Sequence, residues 1–280
     1  MESKSQRDQG YVLGSDPEEL DRLDRQSAAI ERATRMLLQA AGIGRGLRVL
    51  DLGTGLGHVA RIAGELVGPG GSVVGIDNSG AALAVARRRV EDAGERHVSF
   101  VEADARSWRA PEPFDAVIGR LILFHLPDPA AVVRHHAQNL RAGGVFVAID
   151  FDLGAARTEP PVPLAHELLG WVVQAFGAAG ASPRIGARLG AILAQAGLRD
   201  VATFGIQGYL QPGDPMAPRL LGGIVRSLSG AIVQHGIATA EQLGIATLES
   251  RIAEQLERAD AVMLPPAVVG AWGRSVSEAT

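Results

Sequence analysis

The stretch Val49-Leu50-Asp51-Leu52-Gly53-Thr54-Gly55-Leu56-Gly57 joins an apolar strand pattern to three closely spaced glycines, and a helical pattern starts directly after them. Glycines permit positive φ angles and let a ligand approach the backbone beside the electropositive start of a helix. The dinucleotide-binding fingerprint would place its third glycine at position 58, which is His58, and an acid precedes the first glycine by two residues. The stretch therefore predicts a strand, a ligand-binding turn and a helix, but not of the usual dinucleotide type.

Short apolar runs alternate with helical patterns along the chain after this turn. Strands are predicted at 47–52, 72–77, 98–102, 114–121 and 145–149, and helices at 58–67, 79–92 and 128–140. A Gly-Pro-Gly-Gly break at 68–71 ends the first helix, and Arg-Ala-Gly-Gly at 141–144 predicts a turn. This alternation is typical of a parallel sheet with crossover helices, so we expect an α/β fold.

The rest of the chain predicts a cap and two insertions around that core. Ser15-Asp16-Pro17-Glu18 starts an N-terminal helix, since a capping residue is followed by proline and an acid. Two late strands are expected near 200–210 and 262–273, with helices at 164–179, 184–196, 216–235 and 240–258. We therefore divide the chain into an N-terminal helical cap (1–45), a ligand-binding core (46–152), and the rest of the sheet with helical insertions after strands five and six (153–280).

Acids follow three successive strands of the predicted sheet. Asp51 ends the first, Asp77 closes the second 20 residues after Gly57, and Asp104 follows the third. A carboxylate at Asp77 can accept hydrogen bonds from both hydroxyls of a ribose, and one at Asp104 can accept a hydrogen bond from the exocyclic amine of adenine. Because the carboxyl ends of parallel strands share one edge, we expect these side chains to face one crevice. The alternative is a core without a nucleotide, in which the glycines only make a tight turn.

The order and spacing of four motifs resemble those of class I S-adenosylmethionine-dependent methyltransferases across about residues 45–152. The motifs are the glycine turn, Ile76-Asp77, Ala103-Asp104-Ala105 and Phe114-Asp115-Ala116-Val117. The resemblance implies a seven-stranded Rossmann-like sheet and S-adenosyl-L-methionine as cofactor. It implies that Asp51 and the turn (Gly53, Thr54, Gly55, Gly57) hold the methionine end, Asp77 with Asn78 the ribose, and Asp104 with Ala105 the adenine.

The segment Arg120-Leu121-Ile122-Leu123-Phe124-His125-Leu126-Pro127-Asp128-Pro129 leaves the fourth strand, where the family places the sulfonium and the acceptor. Its His-Leu-Pro-Asp-Pro form resembles the small-molecule branch, which includes quinone and natural-product methyltransferases, and lacks the Asn-Pro-Pro-Tyr of amide and base methylation. His125 is the candidate general base. Alternatively, it orders the loop or contacts the cofactor. Arg120 would contact the methionine carboxylate or close a salt bridge.

Residues near the N-terminus resemble a cap found in bacterial members of this branch. There a tyrosine, here Tyr11, covers the acceptor pocket and acts beside the reacting groups, and a glutamine, here Gln26, reaches the cofactor. The alternative is a surface aromatic and a solvated helix residue. In the first insertion, Trp171 and Phe176 follow His166 on one helix, which predicts either an acceptor-pocket wall or plain core packing.

Composition narrows the partners and the compartment. The 280 residues carry a net charge of −4, which argues against nucleic acid, and no cysteine, which excludes disulfides and thiolate metal sites. The histidines are isolated or adjacent, so we expect no metal, and the absence of a signal peptide or a long apolar run predicts a cytoplasmic protein without a membrane span. The apolar insertions suit a small, largely apolar acceptor, and a homo-oligomer is compatible with the composition. Rival readings are a cofactor-binding cyclase or regulatory protein, and a nicotinamide-dependent oxidoreductase.

Overall fold

The computed structural model describes residues 17–276, without the side chains of residues 17–23 and 26. The helices are α1 Pro17–Ala40, α2 His58–Val67, α3 Gly80–Asp92, α4 Pro129–Ala137, α5 Pro163–Ala178, α6 Leu189–Gln195, α7 Met216–Gln234, α8 Ala240–Leu243 and α9 Leu248–Arg258. The strands are β1 Arg48–Leu52, β2 Ser72–Asp77, β3 Val98–Glu102, β4 Phe114–Arg120, β5 Leu140–Asp152, β6 Arg157–Glu159, β7 Arg199–Ile206, β8 Val262–Leu264 and β9 Ala267–Arg274.

Seven strands form one mixed sheet in the order β3-β2-β1-β4-β5-β9-β7. The first five are parallel, whereas β9 runs antiparallel between β5 and β7. The order reverses at β1 and β4, so the carboxyl ends of these two strands open the crevice in which such sheets bind ligands. The predicted α/β class and the seven-stranded Rossmann-like sheet are confirmed.

Alternation along the central strands distributes the helices over the two faces of the sheet. Val49, Ile118 and Val147 pack in one cluster with α1, α2 and α3, while Leu50 and Phe146 pack in a second cluster with α4 to α7. Because successive side chains on a strand point to opposite faces, the same alternation decides which helices each strand-end side chain meets. We call the first side the α1 face and the second the insertion face.

The insertions build an apolar layer on the insertion face. Leu168, Trp171 and Val172 of α5 share the second cluster with Leu221 of α7 and Ile252 of α9. Trp171 is therefore core, whereas Phe176, on the same helix, is half-buried and stacks edge-on against Phe124 at 5.0 Å between ring centroids. The core interpretation of α5 therefore holds at Trp171, and an acceptor-pocket wall at Phe176 stays a prediction.

Several predicted boundaries were wrong, each for a local reason. The helix expected at 240–258 is broken at Gly244, which adopts a left-handed conformation (φ 51°) and separates α8 from α9. The strand expected at 262–273 is two strands, since Pro265-Pro266 between them offers no backbone N–H groups. β8 pairs with β6 in a second, two-stranded sheet that the sequence did not predict. The turn expected at 141–144 is an irregular entry into β5, whose pairing with β4 shifts register there.

Candidate cofactor and acceptor site

The glycine turn between β1 and α2 needs its glycines for backbone conformation. Gly53, Gly55 and Gly57 all have positive φ (62°, 52° and 80°). A Cβ on Gly57 would lie 3.0 Å from Phe100 Cζ and 3.1 Å from Ala86 Cβ, whereas one on Gly55 would meet nothing within 4 Å. The turn therefore packs tightly at Gly57 and leaves backbone open to a ligand at Gly55.

Asp51 lies on the α1 face of β1 and is 1% exposed. Thr54 Oγ1 donates a hydrogen bond to its Oδ2 at 2.6 Å. Burial raises the pKa of Asp51 to about 7, against the favourable effects of Thr54 and of the positive charge of Arg120. A cationic group bound here would favour the ionised carboxylate.

Asp77 ties the glycine turn to the end of β2. Its Oδ2 accepts a hydrogen bond from the backbone N–H of Gly55 and its Oδ1 one from the backbone N–H of Ser79, both at 2.9 Å. Asp77 is buried, and the neighbouring Asn78 is exposed. The structure thus brings Asp51, Thr54, Gly55 and Asp77 together at adjacent strand ends, as the sequence predicted.

Asp104 follows β3 next to this group but is paired elsewhere. The backbone N–H of Ala103 donates to the carbonyl of Asp77 at 2.8 Å, which places the 103–105 segment beside the second acid. The Asp104 carboxylate, however, forms an ion pair with Arg106, whose hydrogen bonds lower the pKa of that carboxyl. Asp51 and Asp77 thus lie near each other while Asp104 faces Arg106, and the expectation that all three face one ligand crevice stays a prediction.

Two histidines of α4 hold the 103–108 segment from behind, a role that the sequence did not reveal. His136 Nε2 lies 2.5 Å from the Ala105 carbonyl oxygen, and Asn139 Nδ2 donates to its Nδ1 at 2.9 Å, so the ring carries its proton on Nε2. His135 Nε2 lies 2.8 Å from the carbonyl oxygen of Trp108. Burial lowers the pKa of His136 to about 4, so it acts as a neutral donor at pH 7.

Arg120 connects the sheet to the N-terminal helix. It ends β4 on the α1 face, and its guanidinium donates to Ser27 Oγ at 2.9 Å and to Thr34 Oγ1 at 3.0 Å. Among the described residues the guanidinium forms no ion pair, so the salt bridge expected from the sequence is not seen there, and contact with the methionine carboxylate stays a prediction. Burial lowers the pKa of Arg120, opposed by the negative charges of Asp51 and Glu31.

A second contact holds α1 near its start. Asp24 Oδ1 lies 2.7 Å from His58 Nε2, and Arg89 Nη2 donates to Asp24 Oδ2 at 2.8 Å. Although burial works in the opposite direction, these two hydrogen bonds lower the pKa of Asp24. His58, at the position where the dinucleotide-binding fingerprint has its third glycine, thus contacts the helical cap. Tyr11 lies outside the described residues, as does the side chain of Gln26.

His125 ends the 3-10 turn Leu123–His125 that follows β4. Its ring stacks edge-on against Phe124 at 5.0 Å, and partial burial lowers the pKa of the imidazole. Because the residue as a whole is exposed, we expect this lowering to be small. A neutral imidazole at the surface of this turn can accept a hydrogen bond or a proton.

The 3-10 turn is held by an acid that the sequence reading missed. Asp150, on β5, is 1% exposed, and its Oδ2 accepts a hydrogen bond from the backbone N–H of Phe124 at 3.1 Å. The strand predicted at 145–149 stopped one residue short of it. The sequence signal that could have indicated Asp150 was an acid directly after the uninterrupted apolar run 145–149.

Three further features of the described residues concern a cleft, membrane-crossing helices and metal-binding groups. A polar cleft of about 550 Å³ lies between α1, α2 and α3 and includes Asp24, His58 and Arg89, on the helix side of the glycine turn. Among the helices that the structure describes, none combines the length and apolar composition needed to cross a bilayer. Within residues 17–276, no three His, Cys, Asp or Glu side chains are grouped so as to hold a metal ion.

Residues 43–175 match the protein family described as "Methyltransferase domain". The chain is 41% identical over 76 residues to a ubiquinone biosynthesis O-methyltransferase of Stutzerimonas stutzeri, which covers 27% of this chain and 33% of that protein. It is 30% identical over 116 residues to a trans-aconitate 2-methyltransferase of an Azoarcus species, covering 41% of this chain and 43% of that protein. These matches thus span a third to under a half of the curated relatives.

The fold is similar to that of a Bacillus halodurans protein named as a methyltransferase. The TM-score is 0.55 at 21% sequence identity, and the superposition covers 87% of this chain and 99% of the other. The similarity therefore extends beyond the parallel core into the insertions, although at this identity it concerns the fold alone.

Proposed function

We propose that this chain is a class I S-adenosylmethionine-dependent methyltransferase, which transfers a methyl group to O, N or C of a small, largely apolar acceptor, such as a secondary metabolite or a quinone-like compound. The match of residues 43–175 to a methyltransferase domain and the similarity to a ubiquinone biosynthesis O-methyltransferase support this. S-adenosyl-L-methionine is the cofactor of this family. It supplies, when bound, a methyl group activated on a sulfonium.

The observation that carries the proposal is the group of carboxylates and glycine backbone at the ends of β1 and β2. The open backbone at Gly55 and the adjacent carboxylate of Asp77 fit the ribose, and the buried Asp51 fits a cationic methionine end. We assign Gly53, Thr54 and Gly57 to the same end, Asn78 to the ribose, and Asp104 with Ala105 to the adenine. Recognition by Asp104 requires its carboxylate to leave Arg106 in part.

Arg120 and the N-terminal cap have linked roles in this proposal. Arg120 lies on the same face as Asp51, and its positive charge acts on that carboxyl. Because its guanidinium donates to Ser27 and Thr34, it couples the cofactor end of the sheet to α1. We propose that Arg120 and Gln26 contact the cofactor from the sheet and the cap, with Tyr11 beside the acceptor.

We propose that the acceptor binds on the insertion face. There the aromatic rings of Phe124 and Phe176 and the apolar side chains of α5 and α7 offer dispersion contacts and few polar groups, which suits an apolar molecule. The chain's main contribution to rate is to hold the acceptor in line with the methyl group, which can be worth about 7–11 kcal/mol. His125 borders this region and is proposed to contact the acceptor.

Because the chain lacks cysteine, we propose a cytoplasmic location.

Incubation with methyl-labelled S-adenosylmethionine and a panel of small acceptors tests the proposal. The expected result is transfer of label with release of S-adenosylhomocysteine, and thermal stabilisation of the protein by S-adenosylhomocysteine but not by NAD. Stabilisation by NAD alone would support an oxidoreductase instead. Stabilisation by S-adenosylhomocysteine without label transfer to any acceptor would favour a cofactor-binding cyclase or regulatory protein.

A further inference from the structure

The buried acid Asp150 is placed between the sheet and the proposed acceptor region. It shares the insertion face with Phe146 and Ala148 of the same strand, whose side chains pack against the helices of the insertions. β4 and β9 flank β5, and the 3-10 turn Leu123–His125 covers its end. Asp150 is therefore surrounded by apolar packing on the face where the acceptor is proposed to bind.

The two oxygens of this carboxylate are in different situations. Oδ2 accepts a hydrogen bond from the backbone N–H of Phe124, and the backbone N–H of Phe151 also contacts the group. Oδ1 is buried and has no hydrogen-bond partner among the described residues. A buried polar atom without a partner is rare and unfavourable, so a hydrogen-bond donor that reaches Oδ1 would be stabilised there.

The pKa of Asp150 is set by burial and by backbone N–H groups, and no charged side chain of the described residues is among its causes. The titratable or charged side chains on this side of β5 belong to the 3-10 turn, β5 itself, α4 and the segment before α6: His125, Asp152, Arg134, His135, His136, Arg184 and Arg188. Arg120 is on the opposite face. Burial raises the pKa of Asp150 to about 7, and the nearby backbone N–H groups of Phe124 and Phe151 oppose this rise. A base that titrates near the working pH is the most effective at removing a proton.

We propose that Asp150 Oδ1 binds and deprotonates a hydroxyl group of the acceptor, so that the acceptor is a phenol or alcohol carried on an apolar body. This inference rests on the proposed methyl-transfer function and specifies its acceptor chemistry. The neighbouring rings of Phe124 and Phe176 would hold the apolar body, while Oδ1 supplies the polar contact that orients it.

The step balances without any further reactant. The acceptor oxygen forms a bond to the methyl carbon, and the carbon–sulfur bond breaks with its electron pair passing to sulfur. The hydroxyl proton moves to Asp150 Oδ1 and leaves to water after product release. An amine acceptor fits less well, because an ionised carboxylate stabilises the ammonium form, which has no lone pair with which to attack.

The test compares Asp150→Asn with Asp152→Asn, a matched control two residues along β5 whose carboxylate accepts a hydrogen bond from the backbone N–H of Gly154. The probes are 4-propylphenol and 2-naphthol, the pre-ionised 4-nitrophenol, and 4-propylaniline. Asp150→Asn is expected to lower kcat for 4-propylphenol by about 10²–10⁴-fold, the usual contribution of a general base. The loss should be much smaller for 4-nitrophenol, and Asp152→Asn should behave like wild type.

Calorimetry on protein saturated with S-adenosylhomocysteine gives a readout that does not depend on turnover. The affinity of wild type for 4-propylphenol should fall as the pH drops below about 7, because protonated Asp150 no longer accepts the hydrogen bond. Asp150→Asn should lack this pH dependence and bind S-adenosylhomocysteine as wild type does. Wild-type pH profiles of binding and of kcat/KM test the idea even where the variant fails to fold.

Three results overturn the inference. These are wild-type turnover of phenols by Asp150→Asn, loss of the pH dependence in His125→Gln instead, and methylation of 4-propylaniline but not of the hydroxyl probes. Binding of S-adenosylhomocysteine without label transfer to any acceptor, or failure to bind it at all, would instead contradict the proposed function. Methyl transfer confined to a nitrogen or carbon acceptor contradicts the inference while the proposed function stands, so the two failures are distinguishable.

Discussion

Replacing Gly57 by alanine is expected to destabilise the protein by about 2–5 kcal/mol. Gly57 has φ 80°, and an L-residue in this left-handed region costs about 1–2 kcal/mol. The added Cβ would also lie 3.0 Å from Phe100 Cζ and 3.1 Å from Ala86 Cβ, and overpacking of a tight contact adds about 1–3 kcal/mol. The two terms act together because β3 and α3 hold both neighbours in place.

Gly55→Ala provides the matched control within the same turn. Its φ of 52° carries a similar backbone cost, but its Cβ would meet nothing within 4 Å, so only about 1–2 kcal/mol should be lost. Urea unfolding followed by circular dichroism, without cofactor, gives both free energies, with the denaturant slope checked for constancy. Equal losses in the two variants, or a larger loss at Gly55, would refute the steric argument.

Three further changes test the cofactor site and its supports. Asp77→Ala should weaken calorimetric binding of S-adenosylhomocysteine and leave the circular dichroism spectrum intact, and an unchanged affinity would contradict the ribose assignment. Burial raises the pKa of Asp51 to about 7, so the stability linked to its protonated form is present below pH 3.8 and is lost as the pH rises through 7. Asp51→Asn should therefore raise the free energy of unfolding at pH 8 relative to wild type but not at pH 4, and a gain of equal size at both pH values would count against burial as the cause. Burial lowers the pKa of His136 to about 4, so wild type loses about 3 kcal/mol from this group as the pH falls from 6.5 to 4. The difference in urea unfolding between wild type and His136→Asn across that window measures this loss, and parallel pH profiles would exclude it.

The core could be predicted because its signals are local. Apolar runs, the 68–71 break and the glycine turn each specify an element from its own residues, and the predicted bounds of α2 and β2 match those in the structure. The insertions were predicted less well, since their boundaries depend on single residues such as Gly244, whose left-handed conformation ends a helix that the apolar pattern alone would continue.

Parts of the site depend on tertiary contacts that spacing does not reveal. Asp51 and Asp77 were placed by their positions at strand ends, which follow from topology. The hydrogen bond between the backbone N–H of Phe124 and Asp150 joins residues that meet only in the folded chain. The ion pair of Asp104 with Arg106 is local, but the motif alone did not indicate which partner the carboxylate takes. Similarly, nothing in the run Arg134-His135-His136 indicates that both imidazoles contact backbone carbonyls of the 103–108 segment.

The antiparallel strand β9 has a consequence for synthesis on the ribosome. β9 is the last of the seven strands along the chain, yet it lies inside the sheet, between β5 and β7. Until it emerges, the far edge of β5 lacks a partner for the eight residues that it later pairs with. A nascent chain that pauses before β9 therefore presents a long, apolar, open edge, the kind of surface that recruits chaperones or associates with other unfinished chains.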